Sequence, residues 1–164
     1  MRHLLFAVFL VVACATVAAA DSYTDAVSAV FRDDYARAAR LFRPLVEQGH
    51  AGAQCFLGVL YANGQGVPQD YQVAGQWYRR AAEQGAAAAQ FHLGVLYAHG
   101  QGLPQDFIRS YMWLTIAAEA SRGDDVKTAI KNQNNVASQM TAAQIGKAQE
   151  MTRRCQQSQF KECD

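Results

Sequence analysis

No cluster of lysine and arginine stands out in the 164 residues, and the balance is 15 basic against 14 acidic groups. A nucleic-acid binder needs a basic face to neutralise phosphates, so that class of partner is not expected. The histidines beyond the first 20 residues are His50, His92 and His99, and none pairs at the i, i+4 spacing that holds a metal from one helix face. Gly64-Gln65-Gly66 lacks a third glycine at dinucleotide spacing, a Gly-Lys-Ser/Thr and a preceding strand pattern, so it reads as a turn and not as a phosphate loop. Ser158-Gln159-Phe160-Lys161 matches the Ser-x-x-Lys of penicillin-interacting enzymes, yet no Ser-Asp-Asn or Lys-Thr-Gly accompanies it. Asp33 and Asp34 are adjacent, and neighbours in sequence do not share a helix face, so they read as helix-end caps and not as an acid/base pair. No nucleophile, base and orienting group can be assembled, and no catalytic residue, cofactor or metal site is expected.

Long apolar runs are also scarce. The run from Leu4 to Ala13 follows Arg2 and His3 and precedes Val17-Ala18-Ala19-Ala20. It is shorter than the roughly 20 residues a bilayer requires, and no basic residues follow it. This is the pattern of a signal peptide over residues 1–20, cut after Ala20, which predicts a periplasmic or secreted protein with no stable membrane insertion once the segment is removed. Val11-Val12-Ala13-Cys14 loosely resembles a bacterial lipoprotein cleavage site, with Cys14 as the acceptor, although the segment before it is short. Loss of Arg2 with the leader leaves 14 charges of each sign, and about 144 residues are enough for one domain built from neighbour contacts.

Cysteine is sparse: four in all, three beyond the leader. Cys155 and Cys163 lie close together in an exported chain and are expected to form a disulfide that ties down the tail. Closing so small a loop stabilises by at most roughly 2 to 3 kcal/mol in the chain-entropy view. Cys55 is left over. It occupies the place that Phe91 takes 36 residues later and reads as a small buried apolar residue, with no histidine or basic residue beside it in sequence to activate it.

What the sequence does contain is a repeat. Ala53 to Gly85 and Ala89 to Ser121 match at a constant offset of 36 residues: Leu57 on Leu93, Gly58 on Gly94, Tyr61 on Tyr97, Pro68-Gln69-Asp70 on Pro104-Gln105-Asp106, and Trp77 on Trp113. A period of about 20 to 50 residues signals a solenoid, in which each unit buries its apolar face only against its neighbours. Within a unit Ala53, Leu57, Leu60 and Tyr61 carry helical spacing, giving helix A. Gly58 in its middle implies a neighbour too close for a Cβ. Gly64 and Pro68 stop that helix, Asp70 is placed to cap the next, and helix B carries Ala74, Trp77, Tyr78 and Ala81 before Glu83-Gln84-Gly85. Linkers this short make successive helices antiparallel.

Residues 22–49 form a first unit with a shortened central loop, since Tyr35, Ala38 and Glu47-Gln48-Gly49 lie 36 residues before Tyr71, Ala74 and Glu83-Gln84-Gly85. The full units run over about 50–85 and 86–121, so the solenoid spans 21–121. In the last helix B, Gln72, Gln76 and Arg80 become Ile108, Met112 and Ile116, an apolar stripe at i, i+4, i+8 that something C-terminal must cover. A helix from about Asp124 to Gln139, with Val126, Ile130, Val136 and Met140, and another from Thr141 to about Cys155, opened by a capping box, are the candidates. Residues 122–164 are therefore expected to be a helical cap and tail, and the fold class is all-α.

The string Leu57-Gly58-x-x-Tyr61-x-x-Gly64-x-Gly66-Val67-Pro68-Gln69-Asp70-Tyr71, with Ala74, Trp77-Tyr78 and Ala81-Ala82-Glu83-Gln84-Gly85, closely resembles the Sel-one-like repeat, a relative of the tetratricopeptide repeats. Met140-Thr141-Ala142-Ala143-Gln144-Ile145 looks like the end of short exported bacterial members. Phe56 and His92 stand where the family often has Asn, and Ser110 replaces an Ala of helix B. The resemblance implies a right-handed α-solenoid acting as an adaptor or scaffold that binds a protein or peptide segment and has no chemistry of its own. It also implies an inner surface lined by helix A, which maps to Cys55, Val59, Asn63, Phe91, Val95 and His99. A second reading, a β-lactamase-like or cell-wall-ligand-binding protein, follows from cysteine-rich relatives that carry a cysteine pair in each repeat, whereas Cys55 here is single. A passive structural spacer is a third.

Overall fold

The repeat becomes helix pairs. The computed structural model describes residues 22–163, and the leader read at residues 1–20, with Cys14, lies outside them. Among the described residues every regular element is a helix: α1 (22–31), α2 (Tyr35–Glu47), α3 (Ala51–Asn63), α4 (Tyr71–Ala82), α5 (Ala87–His99), α6 (Phe107–Ala120), α7 (Asp124–Ala137) and α8 (Ala142–Gln157). Each helix from α2 to α6 packs on the next in sequence, as nearest-neighbour stacking requires, and α8 returns to α6. None of these helices is long and apolar enough to cross a membrane.

The two full units are built from the same bonds. Asp70 caps α4 by accepting from the Gln72 and Val73 amides at 2.9 and 3.0 Å, and Asp106 caps α6 by accepting from the Arg109 amide at 2.9 Å; each such cap contributes about 1 kcal/mol. Gln69 and Gln105 each donate from Nε2 to the carbonyl of Ala62 and Ala98 at 2.8 Å, pinning the loop to the helix it leaves. Gly64 and Gly100 end α3 and α5 in the left-handed conformation at φ 67° and 66°. Gly102, at φ 66°, lies so close to the start of α4 that a Cβ would come within 2.3 Å of the Tyr71 carbonyl carbon, and Gly66 meets Tyr35 at the start of α2 in the same way. The loop glycines thus lock each unit to the one before it. Gly58 and Gly94 behave as the sequence implies: a Cβ there would stand 2.6 Å from the Tyr78 ring and 2.8 Å from Leu114. In the first unit Asp33 takes φ 57° in the short turn and Asp34 caps α2.

The apolar stripe of α6 is covered by α8. Met112 and Ile116 are fully buried in one cluster with Cys155 and Cys163, while Met151 and Phe160 pack against it. Thr141 opens α8 with both arms of a capping box. The disulfide Cys155–Cys163 is formed, with Cα atoms 4.5 Å apart, and it folds the tail back so that Phe160 lies against the Gly85 turn. Ser158 holds the same loop by donating to the Cys155 carbonyl at 2.8 Å and accepting from the Glu162 amide at 2.9 Å. Meanwhile α7 sits on α6 and touches α5, burying Ala129 and Val136, with Gln133 donating to Thr115 Oγ1 at 2.6 Å. Ile130, read above as part of its apolar stripe, is 42% exposed, because Ala129 and not Ile130 falls on the face that meets α6.

Candidate interaction groove

Helices α1, α3, α5 and α7 present their N-terminal halves to a shared depression with two hollows. One, of about 330 Å³, is walled by Tyr23 of α1, Gly52, Cys55, Phe56 and Val59 of α3, and Ala86, Ala87, Ala88 and His92 around α5. The other, of about 350 Å³, is walled by Ala87, Ala88, Phe91 and His92 of α5, Ser121, and Asp125 and Thr128 of α7. Ala87, Ala88 and His92 belong to both, so the two join into one groove across three units.

The floor follows the 36-residue register. Gly52 and Ala88, Cys55 and Phe91, and Phe56 and His92 are equivalent pairs, and Thr128 continues the third series into α7. Small residues at 52, 87 and 88 open the space that the larger ones border. An aromatic group fixes the N-terminal end: Tyr23 stacks on His50 with ring centroids 4.4 Å apart, and Phe56 stacks on the buried Phe42 at 5.3 Å. His50 is itself the cap of α3, its Nδ1 accepting from the Ala53 amide at 3.1 Å. At the centre His92 lies flat on Tyr78, centroids 4.9 Å apart, and Phe91 meets its edge. Burial lowers the His92 pKa below its ordinary value and leaves the imidazole neutral at pH 7. Burial likewise pushes the Cys55 thiol up to about 11. The reactive form is the thiolate, which this burial disfavours, and Cys55 borders the groove as an apolar side chain.

Of the residues mapped to the inner surface from sequence, the structure brings Cys55, Val59 and Phe91 into the groove. Val95 is half-buried one turn beyond Phe91, while Asn63 and His99 are the exposed last residues of α3 and α5; none of these three borders either hollow. The groove therefore sits about one turn nearer the helix N-termini than the mapping placed it. Tyr23, Phe56, His92 and the α7 contribution were not in that mapping. The 36-residue register carried the signal, since the departures noted at Phe56 and His92 fall on one series with Thr128. Among the described residues no group of three or more histidine, cysteine or acidic side chains is arranged to hold a metal.

A groove along one face of stacked antiparallel helix pairs defines the class: a right-handed α-α superhelix of tetratricopeptide type. The Sel1 repeat model matches residues 23–50, 51–85 and 87–121, well over half the chain, and the protein belongs to the Sel1 repeat family. Among solved structures it is similar to a protective antigen of uropathogenic Escherichia coli strains displaying an SLR fold, at 28% identity and a TM-score of 0.77 over 87% of this chain and 31% of that one. It is also similar to a Sel1 repeat protein from Oxalobacter formigenes, at 27% identity and a TM-score of 0.60 over 72% of this chain and 54% of that one. The chain thus spans less than a third of the first relative and about half of the second. No curated protein matches it in sequence.

Proposed function

We propose that this protein is a non-enzymatic interaction module of the bacterial cell envelope, an adaptor, scaffold or regulator that holds a protein or peptide segment in the groove of its A helices. The observation that carries the reading is the joined, largely apolar groove from Tyr23 to Thr128, on a face that no helix among the described residues covers. Concave apolar surfaces with a few polar groups take up extended or helical segments by burying their side chains. Sel1 repeats generally serve protein interactions, and this chain belongs to that family. Two features support an exported setting: the leader-like residues 1–20, and a Cys155–Cys163 disulfide of the kind that persists in oxidising compartments.

The test is a variant pair. A partner recovered with the protein from an envelope fraction should be lost, by about tenfold or more in retained amount, when Phe91 is replaced by alanine, as expected for an aromatic anchor. Gln76→Ala on the exposed face of α4 should leave recovery unchanged. Equal recovery with both variants would refute the groove as the binding surface.

A further inference from the structure

The groove is chemically lopsided. Its α1/α3 end is apolar, bordered by Tyr23, Cys55, Phe56 and Val59. Its α5/α7 end is bordered by Phe91 and His92 on one side and by Ser121, Asp125 and Thr128 on the other. Asp125 is the one formally charged residue among those bordering either hollow, and no lysine or arginine is among them. Its neighbour Asp124 is paired with Lys127 at 2.8 Å, but the Asp125 carboxylate makes no hydrogen bond or ion pair among the described residues. In the repeat register Asp125 stands where Ala53 and Ala89 are buried. Those alanines are packed into the cores between successive helices, whereas α8 packs on α6, so α7 has room for a charged side chain at that position.

We infer that the groove selects a partner segment that combines apolar side chains, seated between α1, α3 and α5, with a lysine or arginine that meets Asp125 at the α7 end. This rests on the groove reading above and adds the identity of the segment it takes. An unpaired carboxylate beside an apolar floor attracts a cation and repels an acidic side chain, and discrimination of this kind sets partner choice and register more than bulk affinity. The neutral His92 imidazole between the two hollows makes no hydrogen bond among the described residues, and it offers a donor and an acceptor to the backbone of a segment lying over it. The cationic contact is exposed, so its share of affinity is small and falls as salt screens it.

The experiment is selection of a random peptide library displayed on phage against the purified protein, repeated with Asp125→Asn, Asp125→Lys and Phe91→Ala. Wild type should enrich peptides that place a lysine or arginine at a fixed spacing from apolar residues. For a peptide so selected, Asp125→Asn should weaken binding about two- to fivefold, the range of an exposed ion pair, and Asp125→Lys should shift enrichment toward aspartate and glutamate, a gain that misfolding does not mimic. Apolar peptides enriched without a cation, or a preference unchanged by Asp125→Lys, would overturn this inference and leave the groove reading standing. Enrichment indifferent to Phe91→Ala, or no enrichment at all, would overturn both.

Discussion

Helices α4 and α6 are the same element written twice, and they meet opposite fates. Both are capped by Asp of Pro-Gln-Asp, both carry Trp seven residues after that cap, and both pack on a glycine in the preceding A helix. On α4 the outer positions Gln72, Gln76 and Arg80 stay in water, and Arg80 lies over the half-buried Trp77 ring at 4.9 Å. On α6 the equivalent Ile108, Met112 and Ile116 face α8, and Trp113 is 1% exposed. Three substitutions on one stripe thus decide whether a helix B is an outer wall or a seat for a terminating helix. The inner face is not affected by that choice, and so the groove continues from α5 onto α7.

The comparison can be broken by exchanging residues between the two helices, and the largest effect should come from giving α6 the charge of α4. Ile116→Arg would bury an unpaired guanidinium and should cost about 3 to 5 kcal/mol in denaturant unfolding, against less than about 1 kcal/mol for Arg80→Ile. Trp113→Ala should cost about 3 to 5 kcal/mol, and Trp77→Ala less than half of that, since Trp77 is only partly buried. Next in size is the tail. Cys163→Ser should lower stability by about 2 to 3 kcal/mol, and its effect on hydrogen exchange should concentrate in α8 and α6 and spare α2 and α3.

The smallest effect sharpens the α4 side alone, because Tyr78 of α4 stacks His92 while its α6 counterpart is Leu114. Burial lowers the His92 pKa in the folded state, so the unfolded chain binds the proton first as pH falls. This contribution is present above the ordinary histidine value of 6.5 and is lost progressively below it. His92→Asn should flatten the fall in unfolding midpoint between pH 7.5 and pH 5 relative to wild type. Equal slopes would remove His92 from the account.

The fold was legible because its determinants are local and recur: capping Asp70 and Asp106, left-handed Gly64 and Gly100, and the apolar i, i+3, i+4 stripes can be read within one unit. The requirement that something cover Ile108, Met112 and Ile116 was legible for the same reason, whereas the choice of α8 over α7 depends on how α7 lies across α5 and α6. The groove was legible only in part. Cys55, Val59 and Phe91 were placed on the inner surface by the family resemblance, but which turn of an A helix is deepest depends on where small side chains meet across units. Gly52, Ala87 and Ala88 open that turn, and only the stacking of α1, α3, α5 and α7 brings them together. Asp125 was hidden because α7 preserves the register of the repeat without its motif.

The most direct test of the claim that the A-helix face receives a partner while the helix B face does not is photo-crosslinking in cells, with a photoreactive residue at position 91 or at position 76. A protein captured from position 91 and absent from position 76 is the predicted result. Capture from position 76 alone, or from neither, would contradict it.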